Sequence, residues 1–363
     1  MEGRLNQLVQ SLKENSVDSV FITSKENVFY FTNLYAEAHE RLIGAYFDQK
    51  GNQVLIVPAL EKEDVKNAGW KGDTITYFDH EDPWEKLTSY IKDVGQPESL
   101  AIEKENLNVI RFEAISKLLH GTTIVDGQLM LNQLRLIKDQ KEMGTLKEAA
   151  QFADFAIETA LKHIQEGQTE LGIIAEIEYA LKKEGIRNMS FDTTVLAGKK
   201  SAAPHGTPDL TPIQKGDFVL MDLGVVHQGY CSDITRTVVL GEASQQQKEI
   251  YHTVLEAEQK AINTCEVGMR LGDIDQIPRK VIEDAGYGEY FPHRIGHGLG
   301  IDVHEFPSLA SNNEDLLQEG MCFTIEPGIY VPEIGGVRIE DDVFITADGA
   351  TTLTEFMKEL IEL

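Results

Sequence analysis

The sequence predicts a mixed α/β (α+β) protein of two domains, and three observations support this fold class. The chain has 363 residues, more than one typical domain contains. Helical and strand periodicities alternate along it. Acidic residues and histidines are concentrated beyond about residue 135, so its two parts differ in composition. We expect a first domain over residues 1–131 and a second over residues 136–363.

The first part alternates short helices and strands. Leu5, Leu8 and Leu12 form an apolar stripe with helical spacing. Gly51 and Asn52 favour a turn between two strands of a hairpin. Runs of β-branched and aromatic residues predict strands at 17–23, 28–32, 45–48, 53–58, 74–78, 99–103 and 123–125. Helices are predicted near 61–68, from Pro83 onward and near 111–119. This part contains no glycine-rich phosphate loop and no cluster of histidine, cysteine or aspartate.

The second part begins with two long helices and continues mainly with strands. Its predicted helices lie near 142–164, 170–183, 245–264 and 272–285, and its predicted strands near 218–226, 230–240, 321–331 and 337–346. Most of the acidic residues and histidines that are candidate functional groups lie on or beside these strands. We therefore expect the functional site in the second domain.

Charge and cysteine content limit the classes of partner. Sixty acidic residues against 33 basic ones give a net charge of -27, which disfavours nucleic acid and anionic membrane surfaces. Cys231, Cys265 and Cys322 lack CxxC spacing, which indicates reduced thiols. No apolar run approaches the roughly 18 residues of a membrane span, and no signal-peptide pattern is present. We expect a soluble, cytoplasmic protein.

Two aspartates, Asp222 and Asp233, lie in strand-like segments eleven residues apart. If the connecting turn is centred on His227 and Gln228, the two aspartates become direct partners across a hairpin. Like charges in that arrangement are destabilising, so we expect a positive group between them. A solvated polar face is the alternative, and the apolar neighbours of Asp222 argue against it.

Three histidines follow in a segment rich in glycine: His293, His297 and His304. Glycine lets a backbone approach a ligand closely, and histidine is the commonest transition-metal ligand. The spacing is not HExxH, which excludes a zinc helix of the thermolysin type. A hydrogen-bonded structural histidine is the alternative for any one of the three.

Two glutamates complete the candidate site. Glu326 precedes a Pro-Gly turn, and Glu340 shares one strand face with Arg338 by period-2 alternation. The four negative charges of the carboxylates balance two divalent cations, and the imidazole is a further ligand. Such a site predicts a hydrolase in which the two metal ions polarise a carbonyl and activate water. The oxygen-rich set of ligands suits Mn²⁺, Co²⁺, Fe²⁺ or Zn²⁺. The five candidate ligands are Asp222, Asp233, His297, Glu326 and Glu340.

These five residues, in this order and in their local motifs, resemble the metallopeptidase family with the pita-bread fold. That family includes methionine aminopeptidase, aminopeptidase P, prolidase and the metal-free creatinase. The resemblance covers the chain from about Leu136 onward. It implies two divalent ions per subunit, with Mn²⁺ expected first. Asp233 and Glu340 would bridge the ions, Asp222 would bind one of them, and His297 and Glu326 would bind the other.

The same resemblance implies roles for residues around the metals. Glu326 would also move a proton from the attacking water. His205, His293 and His304 match the outer histidines of the family, which bind substrate and stabilise the tetrahedral intermediate. Tyr330 and Arg338 match positions near the metal centre, and we expect them to contribute to substrate binding.

The first domain resembles, less specifically, the creatinase/prolidase N-terminal domain, which methionine aminopeptidases lack. His39 and Arg41 resemble part of the N-domain loop of bacterial prolidases, and the resemblance implies a homodimer in which this loop reaches the neighbouring subunit's site. Some prolidases carry an arginine four residues after the counterpart of His304, where it binds the substrate carboxylate. Here that position is Ser308, so Arg338 and Arg41 remain as candidates for that role.

The expected function is metal-dependent hydrolysis of the bond preceding proline, preferentially in Xaa-Pro dipeptides. One alternative is an aminopeptidase P that releases the N-terminal residue of longer Xaa-Pro peptides. A metal-free creatinase-like hydrolase and a peptide-binding protein without activity belong to a different class. The five intact ligand positions disfavour both metal-free alternatives.

Overall fold

The computed structural model describes residues 2–363, and these divide into two compact units. The first unit runs to Arg135 and the second comprises Leu136–Leu363. Both contain helices and strands, which confirms the predicted fold class. Within residues 2–363, no helix combines the length and the apolar character that crossing a membrane requires.

The first unit is built around one mixed six-stranded sheet with the strand order β4-β3-β2-β1-β5-β6. The pairs β1–β2 and β2–β3 are antiparallel, and the other three pairs are parallel. Its core consists of apolar side chains from these strands and the helices that pack on them. The elements are α1 (Glu2–Glu14), β1 (Ser19–Ile22), α2 (Lys25–Thr32), β2 (Gly44–Asp48), β3 (Gln53–Pro58), α3 (Lys62–Asn67), β4 (Asp73–Tyr77), α4 (Pro83–Gly95), β5 (Ser99–Ile102), α5 (Val109–Leu118), β6 (Thr123–Asp126) and α6 (Gln128–Leu136).

One strand predicted in this unit is wrong, because residues 28–32 belong to the helix α2. The side chain of Ser24 caps this helix by accepting a hydrogen bond from the backbone N–H of Asn27. Asn33, at φ 60°, ends it in the left-handed conformation, and its N–H donates to the Phe29 carbonyl. These two caps outweigh the strand preference of the aromatic and β-branched residues between them.

The second unit contains two helix pairs and several antiparallel sheets. The main sheets have the orders β12-β9-β8 and β14-β13-β15-β18-β19, and the shorter ones are β11-β10-β7 and β16-β17. The elements are α7 (Gln140–His163), α8 (Glu170–Lys183), β7 (Asn188–Met189), β8 (Thr194–Ala197), β9 (Phe218–Leu223), β10 (Val225–His227), β11 (Tyr230–Cys231), β12 (Ile234–Val239), α9 (Gln245–Thr264), α10 (Leu271–Asp284), β13 (Gly296–Gly298), β14 (Glu305–Leu309), β15 (Cys322–Ile325), β16 (Gly328–Val331), β17 (Gly335–Arg338), β18 (Asp341–Thr346) and β19 (Gly349–Thr352).

Each helix pair covers one main sheet with its own hydrophobic core. Apolar residues of α7 and α8 pack against β8, β9 and β12. Apolar residues of α9 and α10 pack against β15 and β18. An isolated bridge between Thr235 and Glu340 joins the two sheets. The polar residues at this junction therefore lie between two well-packed layers.

The register of the β9–β12 hairpin differs from the predicted one. His227 pairs with Tyr230, so the turn consists of Gln228 and Gly229. Both turn residues have positive φ, 49° and 85°, which is the type I′ pattern preferred in two-residue hairpins. The predicted direct pairing of Asp222 with Asp233 is therefore wrong, and Asp222 lies opposite Thr235.

We expect replacement of Gly229 by alanine to lower the free energy of unfolding by about 1–2 kcal/mol, because an L-residue is strained at positive φ. Gly144 is a matched control, since it lies in α7 at an exposed position where an added Cβ meets nothing within 4 Å. Gly144→Ala should raise the free energy of unfolding by about 1 kcal/mol. Urea denaturation measures both values, and equal effects would contradict the assigned turn.

Candidate active site

The five predicted metal ligands line one cavity in the second unit, with a volume of about 630 Å³. The three outer histidines and Arg338 share its wall with them. The predicted site residues in this wall are Asp222, Asp233, His297, Glu326 and Glu340, together with His205, His293, His304 and Arg338. The structure thus brings into one space residues that are more than 100 positions apart in the sequence.

Strands and strand ends place the five ligands. Asp222 lies in β9 and His297 in β13, whereas Asp233 precedes β12, Glu326 follows β15, and Glu340 lies between β17 and β18. The glycine-rich sequence of β13 has a steric reason. A Cβ on residue 296 would lie 1.9 Å from the carbonyl oxygen of residue 324, so only glycine allows the two strands to approach this closely.

The donor atoms fit a metal centre. One ligand atom from each of Asp233, His297 and Glu340 lies within 4.8 Å of the others. Nε2 of His297 is 3.5 Å from Oε1 of Glu326 and 3.8 Å from Oδ2 of Asp233. Oδ1 of Asp222 and Oδ1 of Asp233 are buried without a hydrogen-bond partner among residues 2–363. Buried carboxylate oxygens normally have partners, so these atoms are free to ligate a cation.

Burial and mutual repulsion dominate the electrostatics of the cavity. Burial raises the pKa of Asp233 well above its usual value, and the charges of Glu340 and Asp222 raise it further. Burial and the charges of Glu326 and Asp222 likewise raise the pKa of Glu340. Burial raises the pKa of Glu326 to about 7. Divalent cations would offset this repulsion and allow the carboxylates to be ionised together.

Arg338 is bound by the protein on three sides. Its Nε donates to Oγ1 of Thr235 at 3.0 Å, and its Nη1 donates to the hydroxyl of Tyr330 at 3.0 Å. Its Nη2 forms an ion pair with the carboxylate of Asp222. Arg338 therefore places a positive charge beside Asp222. These contacts fix the orientation of Asp222 and commit much of the guanidinium's donor capacity.

A hydrogen-bonded chain continues from Arg338 to His293. Nδ1 of His293 lies 2.8 Å from the carbonyl oxygen of Arg294, so this nitrogen carries the proton. Burial lowers the pKa of His293 to about 4, which leaves the ring neutral. Its Nε2 then accepts from the hydroxyl of Tyr330 at 2.9 Å. Both ring nitrogens of His293 are thus occupied by protein partners.

His304 and His205 have fewer contacts with the protein. The His304 ring packs against the His297 ring with 4.2 Å between centroids. Burial and the nearby charge of Arg294 lower the pKa of His304, so this imidazole on the cavity wall is neutral near pH 7. His205 is exposed on the cavity wall.

Arg294 is a cavity residue that the sequence patterns did not indicate. Its Nη1 donates to Oγ of Ser308 at 2.9 Å, and Ser308 pairs with His297 across β13 and β14. Among residues 2–363 it has no carboxylate partner. The guanidinium of Arg294, which lies in a different segment of the chain, therefore contacts the side chain of Ser308. The available sequence signal was its position between His293 and His297.

His39 and Arg41 belong to the first unit. Nε of Arg41 is 2.9 Å from Oδ1 of Asp79, and its Nη1 is 2.9 Å from Oε1 of Glu40. His39 has a positive φ of 49°. Arg41 is thus held by two carboxylates of its own unit, and the substrate-binding role of both residues stays a prediction.

Comparison with known proteins gives matches over both units. Residues 144–347 match the family described as metallopeptidase family M24, and residues 4–137 match the creatinase/prolidase N-terminal domain. A Bacillus subtilis protein provisionally named a dipeptidase is 50% identical over 362 residues, which are 99% of this chain and 100% of that protein.

Two solved structures extend the comparison. An Xaa-Pro dipeptidase from Bacillus anthracis superposes with a TM-score of 0.93 at 35% identity, covering 100% of this chain and 99% of that one. An X-Pro aminopeptidase from Thermotoga maritima superposes with a TM-score of 0.88 at 29% identity, covering 98% of this chain and 100% of that one. The fold of this chain is thus similar to that of a protein named a dipeptidase and to that of a protein named an aminopeptidase.

We expect Mn²⁺ to bind more tightly as the pH rises from 6 to 7. Glu326, with a pKa of about 7, holds a proton below that pH, and the metal must displace it. His297 contributes no protons in this range, because burial lowers its pKa to about 3. Calorimetric titration of metal-free protein should show affinity rising with pH by up to about tenfold per pH unit for each carboxyl that holds a proton in the metal-free protein, Asp233 and Glu340 included. A dissociation constant that does not change with pH would contradict this electrostatic description.

Proposed function

Because the chain belongs to metallopeptidase family M24, we propose that it hydrolyses the peptide bond preceding proline, preferentially in Xaa-Pro dipeptides. The observation that carries this proposal is the cavity in which four carboxylates and His297 meet beside a second group of histidines. The names of the Bacillus anthracis structure and of the Bacillus subtilis relative support a dipeptidase.

A metallopeptidase of this family requires divalent metal ions, and we propose two per subunit with Mn²⁺ as the preferred ion. Asp233 and Glu340 would bridge them, Asp222 would bind one, and His297 and Glu326 would bind the other. The donor set supports this arrangement, since it contains oxygen and imidazole ligands and no thiolate. Bound there, the ions would polarise the scissile carbonyl and make water a stronger nucleophile.

Glu326 is suited to move the proton. Its carboxylate lies in the cavity wall, 3.5 Å from Nε2 of His297, where it can accept a proton from water and release it later in the reaction. We propose that it takes a proton from the attacking water as the new C–O bond forms. It then delivers that proton to the proline nitrogen as the C–N bond breaks. One carboxylate thus serves both proton transfers.

His304 is the outer histidine best placed to stabilise the tetrahedral intermediate. It is neutral and lies on the cavity wall beside His297, so it can donate one hydrogen bond to the developing oxyanion. His293 has both nitrogens occupied, and we propose that it orients the hydroxyl of Tyr330, which in turn contacts Arg338. His205, exposed on that wall, would contact the substrate.

Arg294 is proposed to bind the substrate carboxylate. A dipeptide places this carboxylate on the proline next to the scissile bond, and a guanidinium can bind it through two parallel hydrogen bonds. Arg338 is already bound by Thr235, Tyr330 and Asp222. Arg294 lines the same cavity, and among residues 2–363 the partner of its guanidinium is the hydroxyl of Ser308. The charge of Arg294 is therefore available to a ligand.

An aminopeptidase acting on longer Xaa-Pro peptides is the second candidate. The Thermotoga maritima X-Pro aminopeptidase supports it, because its structure superposes over nearly the whole chain. The two candidates share the chemistry at the scissile bond. They differ in whether the cavity requires a carboxylate on the proline or accepts a further peptide unit.

We also propose a homodimer in which the loop with His39 and Arg41 closes the neighbouring subunit's site. Arg41 would then exchange Asp79 and Glu40 for a substrate carboxylate. Activity regained in mixed dimers of Arg41→Ala and Glu326→Ala subunits tests this arrangement.

Three buried free thiols support a cytoplasmic location, which cell fractionation tests.

We expect hydrolysis of Xaa-Pro dipeptides with Mn²⁺ to exceed that of Xaa-Pro-Yaa tripeptides, because Arg294 offers a charge for a carboxylate on proline. The panel should contain matched dipeptides, tripeptides and longer peptides that share the same first residue. The chelated, metal-free protein serves as the control and should be inactive. Faster hydrolysis of tripeptides would favour the aminopeptidase, and full activity without metal would rule out the proposed chemistry.

We expect Arg294→Met to raise KM for Xaa-Pro dipeptides about tenfold or more, since hydrogen bonds to a charged group contribute about 1.5–3 kcal/mol. Dipeptide amides lack the carboxylate, so their KM should change much less. Arg187→Met is the matched control, because Arg187 is exposed in the same unit and does not line the cavity. Equal losses for dipeptides and their amides would exclude this role.

A further inference from the structure

A buried network of charged side chains lies directly behind two of the proposed metal ligands, and the chemistry described above does not use it. Four of its members are almost completely inaccessible to solvent, and the fifth, Lys358, has a side-chain exposure of 22%. Charges are rarely buried unless they are paired. The members are Arg236, Glu258, Asp341, Asp342 and Lys358.

Arg236 connects this network to Glu340. Its Nη1 donates to the main-chain carbonyl of Glu340 at 2.6 Å, and its Nη2 donates to Oδ1 of Asp341 at 2.7 Å. The same guanidinium donates to the carbonyl oxygens of Phe356 and Met357. Arg236 thus ties the backbone that carries Glu340 to a segment near the C-terminal end of the chain.

A second contact reaches Asp233. The carboxylate of Asp342 accepts a hydrogen bond from the Asp233 main-chain N–H at 3.0 Å. The N–H of Asp342 donates to Oγ1 of Thr354 at 3.2 Å, and this hydroxyl donates to Asp341 at 2.7 Å. Both residues proposed to bridge the metals are therefore held, through their main chains, by one network.

Lys358 supplies the second positive charge of the network. Its Nζ is 2.6 Å from Oε1 of Glu258 and also forms an ion pair with Asp341. Without Lys358, Arg236 would be the remaining cation of the network, and Glu258 would lose its ion-pair partner. Removal of one partner from a buried ion pair is strongly destabilising, because the other charge stays buried and unpaired. The ammonium group therefore holds Asp341 where it binds Arg236.

We propose that Lys358 is a positioning residue for the metal centre, acting through Asp341 and Arg236 on Glu340. This inference rests on the proposed two-metal function. It makes the segment Thr354–Lys358 a structural support of the site. Loss of an outer partner of a metal ligand typically lowers metal affinity about 10- to 100-fold.

The test begins with Lys358→Met, which keeps an unbranched side chain and removes its charge. We expect the Mn²⁺ dissociation constant of the metal-free protein, measured by calorimetry, to rise about 10- to 100-fold. At saturating Mn²⁺, kcat for an Xaa-Pro dipeptide should fall while KM changes less than about twofold. Lys358→Arg restores the charge and should bring Mn²⁺ affinity to within about threefold of the original.

Lys248→Met is the matched control. Lys248 pairs with Glu362, also near the C-terminal end, at 3.2 Å, but both side chains are about one-third exposed. Exposed pairs contribute little, so Mn²⁺ affinity should stay within about twofold of the original. A comparable loss of affinity in this control would overturn the assigned role of Lys358.

The double variant Glu258→Gln/Lys358→Met separates charge from packing. It removes the unpaired charge that Lys358→Met leaves on Glu258 but does not restore the ion pair between Lys358 and Asp341, so Mn²⁺ affinity should stay well below the original. Unchanged affinity in Lys358→Met, or full recovery in the double variant, would overturn the proposal. If Lys358→Met does not fold, the double variant and Lys358→Arg decide the question. If the wild-type protein binds Mn²⁺ but does not cleave Xaa-Pro peptides, the proposed function alone fails.

Discussion

Repulsion among four carboxylates in one buried cavity is the constraint on which the catalytic unit depends. Asp222, Asp233, Glu326 and Glu340 converge in a cavity where burial limits the screening of their charges by water. Burial raises the pKa of Asp233, Glu326 and Glu340, so folding alone leaves the site electrostatically unfavourable. Divalent cations would relieve this repulsion. The chain thus sacrifices local stability for the ability to hold metal ions.

The surrounding fold keeps these groups at fixed positions. Two hydrophobic cores, each between a helix pair and a sheet, hold the strands that carry the ligands. The backbone at Asp233 and at Glu340 is bound by Asp342 and Arg236. Restraint of the main chain leaves the carboxylate oxygens free, as a metal centre requires. Rigidity and ligand availability are therefore supplied by different atoms of the same residues.

The cations of the site fall into two classes that differ in their partners. Arg338 is bound by Thr235, Tyr330 and Asp222, so its charge belongs to the structure of the centre. Arg294 has a hydroxyl partner and faces the cavity, so its charge is open to a ligand. A guanidinium that is already saturated orients its neighbours, whereas an unsaturated one can recognise a substrate.

The sequence by itself determined the elements whose signals are contiguous and the chemical types of the site. The helix at 245–264 was predicted at its observed bounds, because the apolar period that indicates it is local. The five candidate metal ligands were predicted from residue type and local motif. The sequence did not predict the register of the β9–β12 hairpin, which depends on the positive φ of its two turn residues. It also did not predict the helix at 25–32, which its two caps stabilise. Arg294 and the network around Arg236 required the tertiary structure, because their partners lie far away in the sequence and no periodic pattern records such contacts.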